Sequence, residues 1–205
     1  MNVVEVKSPK AERDFIRAHV HCNQSDPRWI RPLDTDILQV FDPNKNKAFR
    51  FGAACRWVLY DNQKPVGRIA AFVNKKYKNK GDEFPVGGIG FFDSPDNSQA
   101  AFLLFDTAKE WLAERGMKAM DGPINFGERD RWWGLLVHGF YEPLYGMNYN
   151  PPYYQQLFEA YGFGVFYNQY CWSIPVAGVA NQLQSKSYEA HNRFVVNAEL
   201  QARPL

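Results

Sequence analysis

Glu128 and Asp130 stand in a polar-aromatic stretch, residues 125–133 (NFGERDRWW), beside the end of a strand-like run. A carboxylate placed there can take a proton from an attacking amine, because an ammonium must be deprotonated before its nitrogen becomes a nucleophile. The same four charges, Glu128, Arg129, Asp130 and Arg131, can equally pair with one another on the surface, and both readings stay open. Another chemical feature lies upstream. Gly87, Gly88 and Gly90 fall in a strand-like run at 86–92 that leads into the start of a helix near Ser98. A Gly-rich strand feeding a helix N-terminus is a common cradle for a phosphate-bearing group, since free backbone N–H groups and the positive helix end favour an anion.

Several other chemistries are poorly supported. His19, His21 and Cys22 do not share a helix face at two-residue spacing, and no second cluster supplies further metal ligands. His138 is a lone histidine in an apolar run. No serine sits in a G-x-S-x-G elbow and no GK[ST] phosphate loop occurs. Cys22, Cys55 and Cys171 are an odd number at wide spacing, which predicts free thiols in a reducing compartment. The N-terminus lacks an apolar core of signal-peptide length and no stretch approaches 18 apolar residues, so a cytoplasmic location is expected. A net charge of +2 predicts neither nucleic acid nor membrane as a partner. The basic cluster at 75–80 (KKYKNK) reads as a solvated hairpin loop.

The elements that must position these residues follow from periodicity. Residues 2–7 alternate as a first strand, and Ser8 caps a helix running to about Asn23. A Pro-punctuated loop follows, with one short helix at 34–41. Residues 54–60 and 65–74 form an antiparallel hairpin, with 86–92 as the next strand. Residues 98–115 form the strongest helix, with Ala101, Leu104, Phe105, Ala108 and Leu112 on one face, an N-cap among Asp96, Asn97 and Ser98, and Gly116 as C-cap. A short strand at 117–120, a helix at 153–161 and an aromatic-rich strand at 164–174 complete the run. Trp132 and Trp133 are consecutive and cannot both face one core, so one of them lines a cleft or an interface. An aromatic content of 16% fits either a bulky core or an aromatic-lined cleft.

Three segments carry a resemblance: KPVGRIAAFVN at 64–74, GGIGFFDS at 87–94, and the series DGPINF, GLLVHGF and YNPPYYQQLFEAYGF between 121 and 163. Across residues 3–175 the chain resembles the GNAT (acyl-CoA N-acyltransferase) superfamily, and within it a bacterial branch identified by sequence, with a degenerate pyrophosphate loop. The resemblance implies an α+β fold, a mostly antiparallel twisted sheet with one splayed strand pair and flanking helices. A domain is expected at 1–176; the polar tail at 177–205 (NQLQSKSYEAHNR) has a helix-forming run and ends in a strand-like run at 194–205 (FVVNAELQARPL), and so reads as the start of a second, absent or truncated unit. The resemblance also implies transfer of an acyl group from acetyl-CoA or another acyl-CoA to a small-molecule or peptide amine. Ile89, Gly90 and Phe91 would hold the thioester and Asn97, Ser98 and Gln99 the pyrophosphate; a homodimer is left open. The family's tyrosine acid is replaced by Phe158, leaving Tyr154 or Tyr161 one turn away, or packing as their role. Residues 93–99 (DSPDNSQ) lack the family's glycines and arginine, and Asp93 and Asp96 there would repel a pyrophosphate by about 1 kcal/mol each. The alternative is therefore a non-catalytic binding or scaffold domain that has lost CoA.

Overall fold

A computed structural model describes residues 1–77, 83–178 and 184–195. The chain divides into two compact units, Met1–Val165 and Phe166–Leu205. The first unit holds a five-stranded sheet in sequential order: β1 (Asn2–Glu5), β2 (Gly52–Asp61), β3 (Lys64–Asn74), β4 (Val86–Asp93) and β5 (Ala119–Asp121). Neighbours pair antiparallel except β4 and β5, which are parallel. The mixed α/β architecture with a mostly antiparallel sheet is the expected one.

The helices sit in two layers because the strands alternate. Trp57, Leu59, Ile69, Ala71 and Ile89 form one apolar face, covered by α3 (Ser98–Ala113) and α4 (Tyr154–Tyr161). Val58, Tyr60 and Ala70 form the other, covered by Phe15 and Ile16 of α1 (Pro9–Asn23) and Ile37 of α2 (Asp34–Val40). Ser8 caps α1 by accepting from the Ala11 N–H, with Pro9 at a first-turn position where its missing donor costs nothing. Asn97 is the residue that caps α3, accepting from the Ala100 N–H at 3.0 Å. At the other end the C-cap is Glu114 rather than Gly116. Lys47–Arg50 forms a 3-10 turn that the sequence pattern did not announce.

One expected strand is absent. Residues 164–174 form no strand and are largely exposed. Their aromatic alternation is a local preference, and among the described residues no neighbouring strand satisfies their backbone groups. In the second unit the tail forms a helix, α5 (Ser185–Val195). Of the strand-like run expected at 194–205, residues 194 and 195 belong to that helix and 196–205 lie outside the described residues, as do residues 78–80 of the basic cluster. Among the described residues no helix is long and apolar enough to cross a membrane.

Candidate active site

A break in β4 builds the site. Ile89 packs towards α3, and Phe92 stacks on Phe105 of that helix with ring centroids 4.6 Å apart. These positions are three apart, whereas an unbroken strand returns to the same face every two residues. The offset comes from a bulge: Ala70 opposes Gly90, but Arg68 opposes Asp93, so β4 has one residue more than β3. Phe91 takes the strained conformation, with φ of +49°. Its ring lies on the α1 face among Phe15, Phe41 and Trp132. Asp93 is thereby turned to that same face, across from Arg68.

The Asp93 carboxylate is buried and fully partnered. Oδ2 contacts His19 Nδ1 at 2.8 Å and accepts from Arg68 Nε at 2.5 Å. Oδ1 accepts from Asn23 Nδ2 at 2.9 Å and from the Tyr154 hydroxyl at 3.1 Å. The Tyr154 oxygen in turn accepts from the Ser94 N–H at 3.1 Å. Burial alone would push the Asp93 carboxyl up; His19 and Arg68 outweigh it and hold it below the usual carboxylate range. Burial lowers the His19 pKa, Asp93 opposes that, and Arg68 adds to it, so the ring is held neutral. Burial and the Asp93 charge raise the Tyr154 phenol well above its ordinary value.

His19, Asp93 and Tyr154 lie on the wall of a cavity of about 430 Å³. The rest of the wall is mainly apolar, including Trp29, Leu33, Ile37, Phe91, Trp132 and Leu144. The cavity adjoins the point where β4 leaves β5. Ladder pairing ends at Gly88 and Asp121, and one further bond runs from the Ile124 N–H to the Ile89 carbonyl at 2.8 Å. Only glycine fits at position 90, because a Cβ there would stand 1.9 Å from the Ile124 carbonyl oxygen. Beyond that contact the chain turns away and Phe91–Asp93 have no β5 neighbour.

The expected residues divide by place. Tyr154 and Phe91 line the cavity, and Ile89 and Gly90 lie in the strand leading to it. Asn97, Ser98 and Gln99 are exposed at the start of α3 and do not line it. Glu128 lines a second cavity of about 650 Å³, and Asp130 lines neither. Glu128 is exposed and stands 3.8 Å from Arg131. Trp132 and Trp133 do face different ways, Trp132 against Phe91 and Trp133 against Tyr77. Tyr161 donates to Asp106 at 2.6 Å, away from the cavity. Phe158 is buried in the α3–α4 layer and also touches the cavity.

Asp93 corrects an expectation. It does not stand open at the start of α3, and its charge is matched by Arg68, so of the two carboxylates expected to repel a pyrophosphate Asp96 alone is exposed. His19, Asn23 and Arg68 were missed as site residues. One signal for them existed: an arginine inside the apolar run PVGRIAAFVN must find a carboxylate if it is buried, and Asp93 ends the neighbouring strand.

Sheet order, the bulge in β4 and its divergence from β5 decide the architecture. The fold is GNAT-like. No family model matches the chain. A bacterial ceramide synthase from Caulobacter vibrioides (strain NA1000 / CB15N) is 29% identical over 154 residues, 75% of this chain and 40% of that protein. The chain thus spans 40% of the length of that relative. Among solved structures, aminoglycoside 6'-N-acetyltransferase AAC(6')-IG from Acinetobacter haemolyticus matches 86% of this chain and 99% of its own, at 16% identity and a TM-score of 0.49. AAC(6')-Iy in complex with a CoA bisubstrate analogue matches 83% of this chain and 98% of its own, at 13% identity and a TM-score of 0.48.

Proposed function

We infer that the chain is an N-acyltransferase that moves an acyl group from acyl-CoA to an amine. The observation that carries this reading is the opening where β4 parts from β5, beside a mainly apolar cavity whose wall carries the His19–Asp93 pair. The cavity can exclude water from an activated ester, and the pair can handle a proton there.

An acyl-CoA would lie across the end of β4 and the start of α3. Ile89 and Gly90 would lead the thioester to Phe91, where β4 passes its last contact with residues 122–124 and its edge is free to hold it. At α3, Asn97 uses its side chain on the Ala100 N–H, while the N–H groups of Ser98 and Gln99 precede the intrahelical ladder and stay available. Those groups, with the Gln99 side chain, would take phosphate. The donor supplies an activated acyl carbon; this chain's residues bind it, keep water away and move the proton of the amine. Tyr154 contributes by fixing Asp93, since its own proton is already directed to that carboxylate.

Apolar walls around a polar end suit a long-chain substrate. The relative's name points the same way, because a ceramide is the amide of a long-chain amino alcohol and a fatty acyl group. We therefore place the amine among long-chain amino alcohols, and the donor among long-chain acyl-CoAs. Residues 93–99, without glycine and with Pro95 lacking a donor, favour the scaffold reading instead. Calorimetric titration with acetyl-CoA and palmitoyl-CoA separates the two. Saturable binding, with a melting rise of roughly 5–10 °C at a hundredfold excess over Kd, supports the transferase. No heat at millimolar concentration of either compound supports the scaffold.

A further inference from the structure

The geometry points to His19 Nε2 as the general base that takes the proton from the acceptor amine. This assignment rests on the acyl-transfer reading and goes beyond it, since His19 comes from α1 and not from the loop at 125–133. Donor and acceptor counting fixes the tautomer. Asp93 is an ionised carboxylate and has no proton to give, so its 2.8 Å contact with His19 requires the hydrogen on Nδ1. Among the described residues the only other polar neighbour of Nδ1 is Asn23 Nδ2 at 3.2 Å. Both hydrogens of that amide are already used, on the His19 carbonyl at 2.9 Å and on Asp93 Oδ1 at 2.9 Å. In the neutral ring Nε2 therefore carries a lone pair. No described residue donates to it, and His19, with a side chain 12% exposed, lines the cavity.

The surroundings suit a base that is neutral at rest and cationic only in passing. The charged and titratable groups about the pair are Asp93 from β4, Arg68 from β3, Cys22 on α1 itself, Tyr153 and Tyr154 from α4, and Arg31 from the loop before α2. Cys22 and both tyrosines are kept protonated by burial, so they add no charge. Burial, with Arg68 working against the pull of Asp93, keeps the imidazole from holding a proton at rest. When a proton arrives, the carboxylate at 2.8 Å steadies the imidazolium without taking that proton. Trp29 packs edge-on against the ring with centroids 5.3 Å apart and limits its rotation.

The step balances without a further reactant. The amine nitrogen forms a bond to the acyl carbon, the carbon–sulfur bond breaks, and the amine proton passes to Nε2. It then goes from Nε2 to the departing sulfur, leaving an amide, a thiol and neutral His19.

Two measurements on the full chain test this. Ring ¹⁵N NMR of histidine-labelled protein at pH 7 reads the tautomer directly; the His19 signals among the four histidines are those missing from His19→Gln. Protonated Nδ1 with bare Nε2 is expected, and a proton on Nε2 overturns the assignment whether or not a substrate is found. Amide formation from palmitoyl-CoA and a long-chain amino alcohol, followed by mass spectrometry, reads the chemistry. His19→Gln is expected to lose roughly 10²–10⁴-fold in kcat with palmitoyl-CoA binding unchanged. A variant within threefold of the parent, in an active protein, overturns the base role and leaves the transferase standing. A parent that binds palmitoyl-CoA yet forms no amide overturns the transferase reading, and the base role with it.

Discussion

Asp93 at the end of β4 and the Glu128–Asp130 loop offer the same chemical group in opposite surroundings. Asp93 is 3% exposed, takes bonds from four side chains, and has its pKa held down by two of them. Glu128 is exposed, and its ion pair with Arg131 is long and wet. Sequence context favoured the second, because NFGERDRWW clusters charge beside aromatics within nine residues. The structure sets the first apart as a buried, oriented group on a cavity wall, whereas Glu128 lines the second cavity as an exposed one. Burial and a matched partner separate a positioned carboxylate from a solvating one.

The contrast can be broken at its strongest point first. Arg68→Met leaves the Asp93 charge buried without its cation, and should cost about 3–5 kcal/mol in urea unfolding. A loss below 1 kcal/mol would mean that the pair is not the anchor of this end of the sheet. Next, Gly90→Ala drives a Cβ into the Ile124 carbonyl, a backbone group that cannot turn aside as a side chain can, and should cost about 1–3 kcal/mol by the same measurement. A neutral result would show that β4 and the 122–124 segment are free to separate further.

A pH series sharpens the comparison. The folded His19 pKa is lowered, so the unfolded chain takes the proton first as pH falls. The stability this residue contributes is complete above the unfolded value near 6.5 and is lost as pH falls below it, by at most about 1.4 kcal/mol per pH unit. Asp93 follows the same sign lower down, its contribution being complete above about pH 4 and lost below. Urea midpoints between pH 7 and 5 should decline, and His19→Gln should flatten that decline. An unchanged slope in the variant would contradict the buried neutral ring. The smallest effect belongs to the exposed loop: Glu128→Gln should shift stability by less than about 0.5 kcal/mol. A larger loss would show that the loop is held by its charges.

Much of the fold was legible because its determinants are local. Ser8 and the apolar spacing after it set the start of α1, and the Ala101 to Leu112 stripe set the buried face of α3. The strands were found within one or two residues of their ends. The site was legible only in part. His19 and Asp93 are 74 residues apart, and no spacing rule links a helix residue to a strand end at that distance. The bulge was hidden too, because phenylalanine is an unlikely residue for a positive φ and Phe91 adopts it only under the packing of Phe15, Phe41 and Trp132. Residues 164–174 failed in the reverse sense, a convincing local strand pattern without a described partner to pair with.

We propose above that the chain transfers an acyl group from acyl-CoA to an amine. That transfer is tested most directly by incubating the full chain with palmitoyl-CoA and a long-chain amino alcohol and measuring released thiol against time. Release should require the amine and run in step with amide formation. Thiol release at one rate with and without the amine, or none at all, would contradict the proposal.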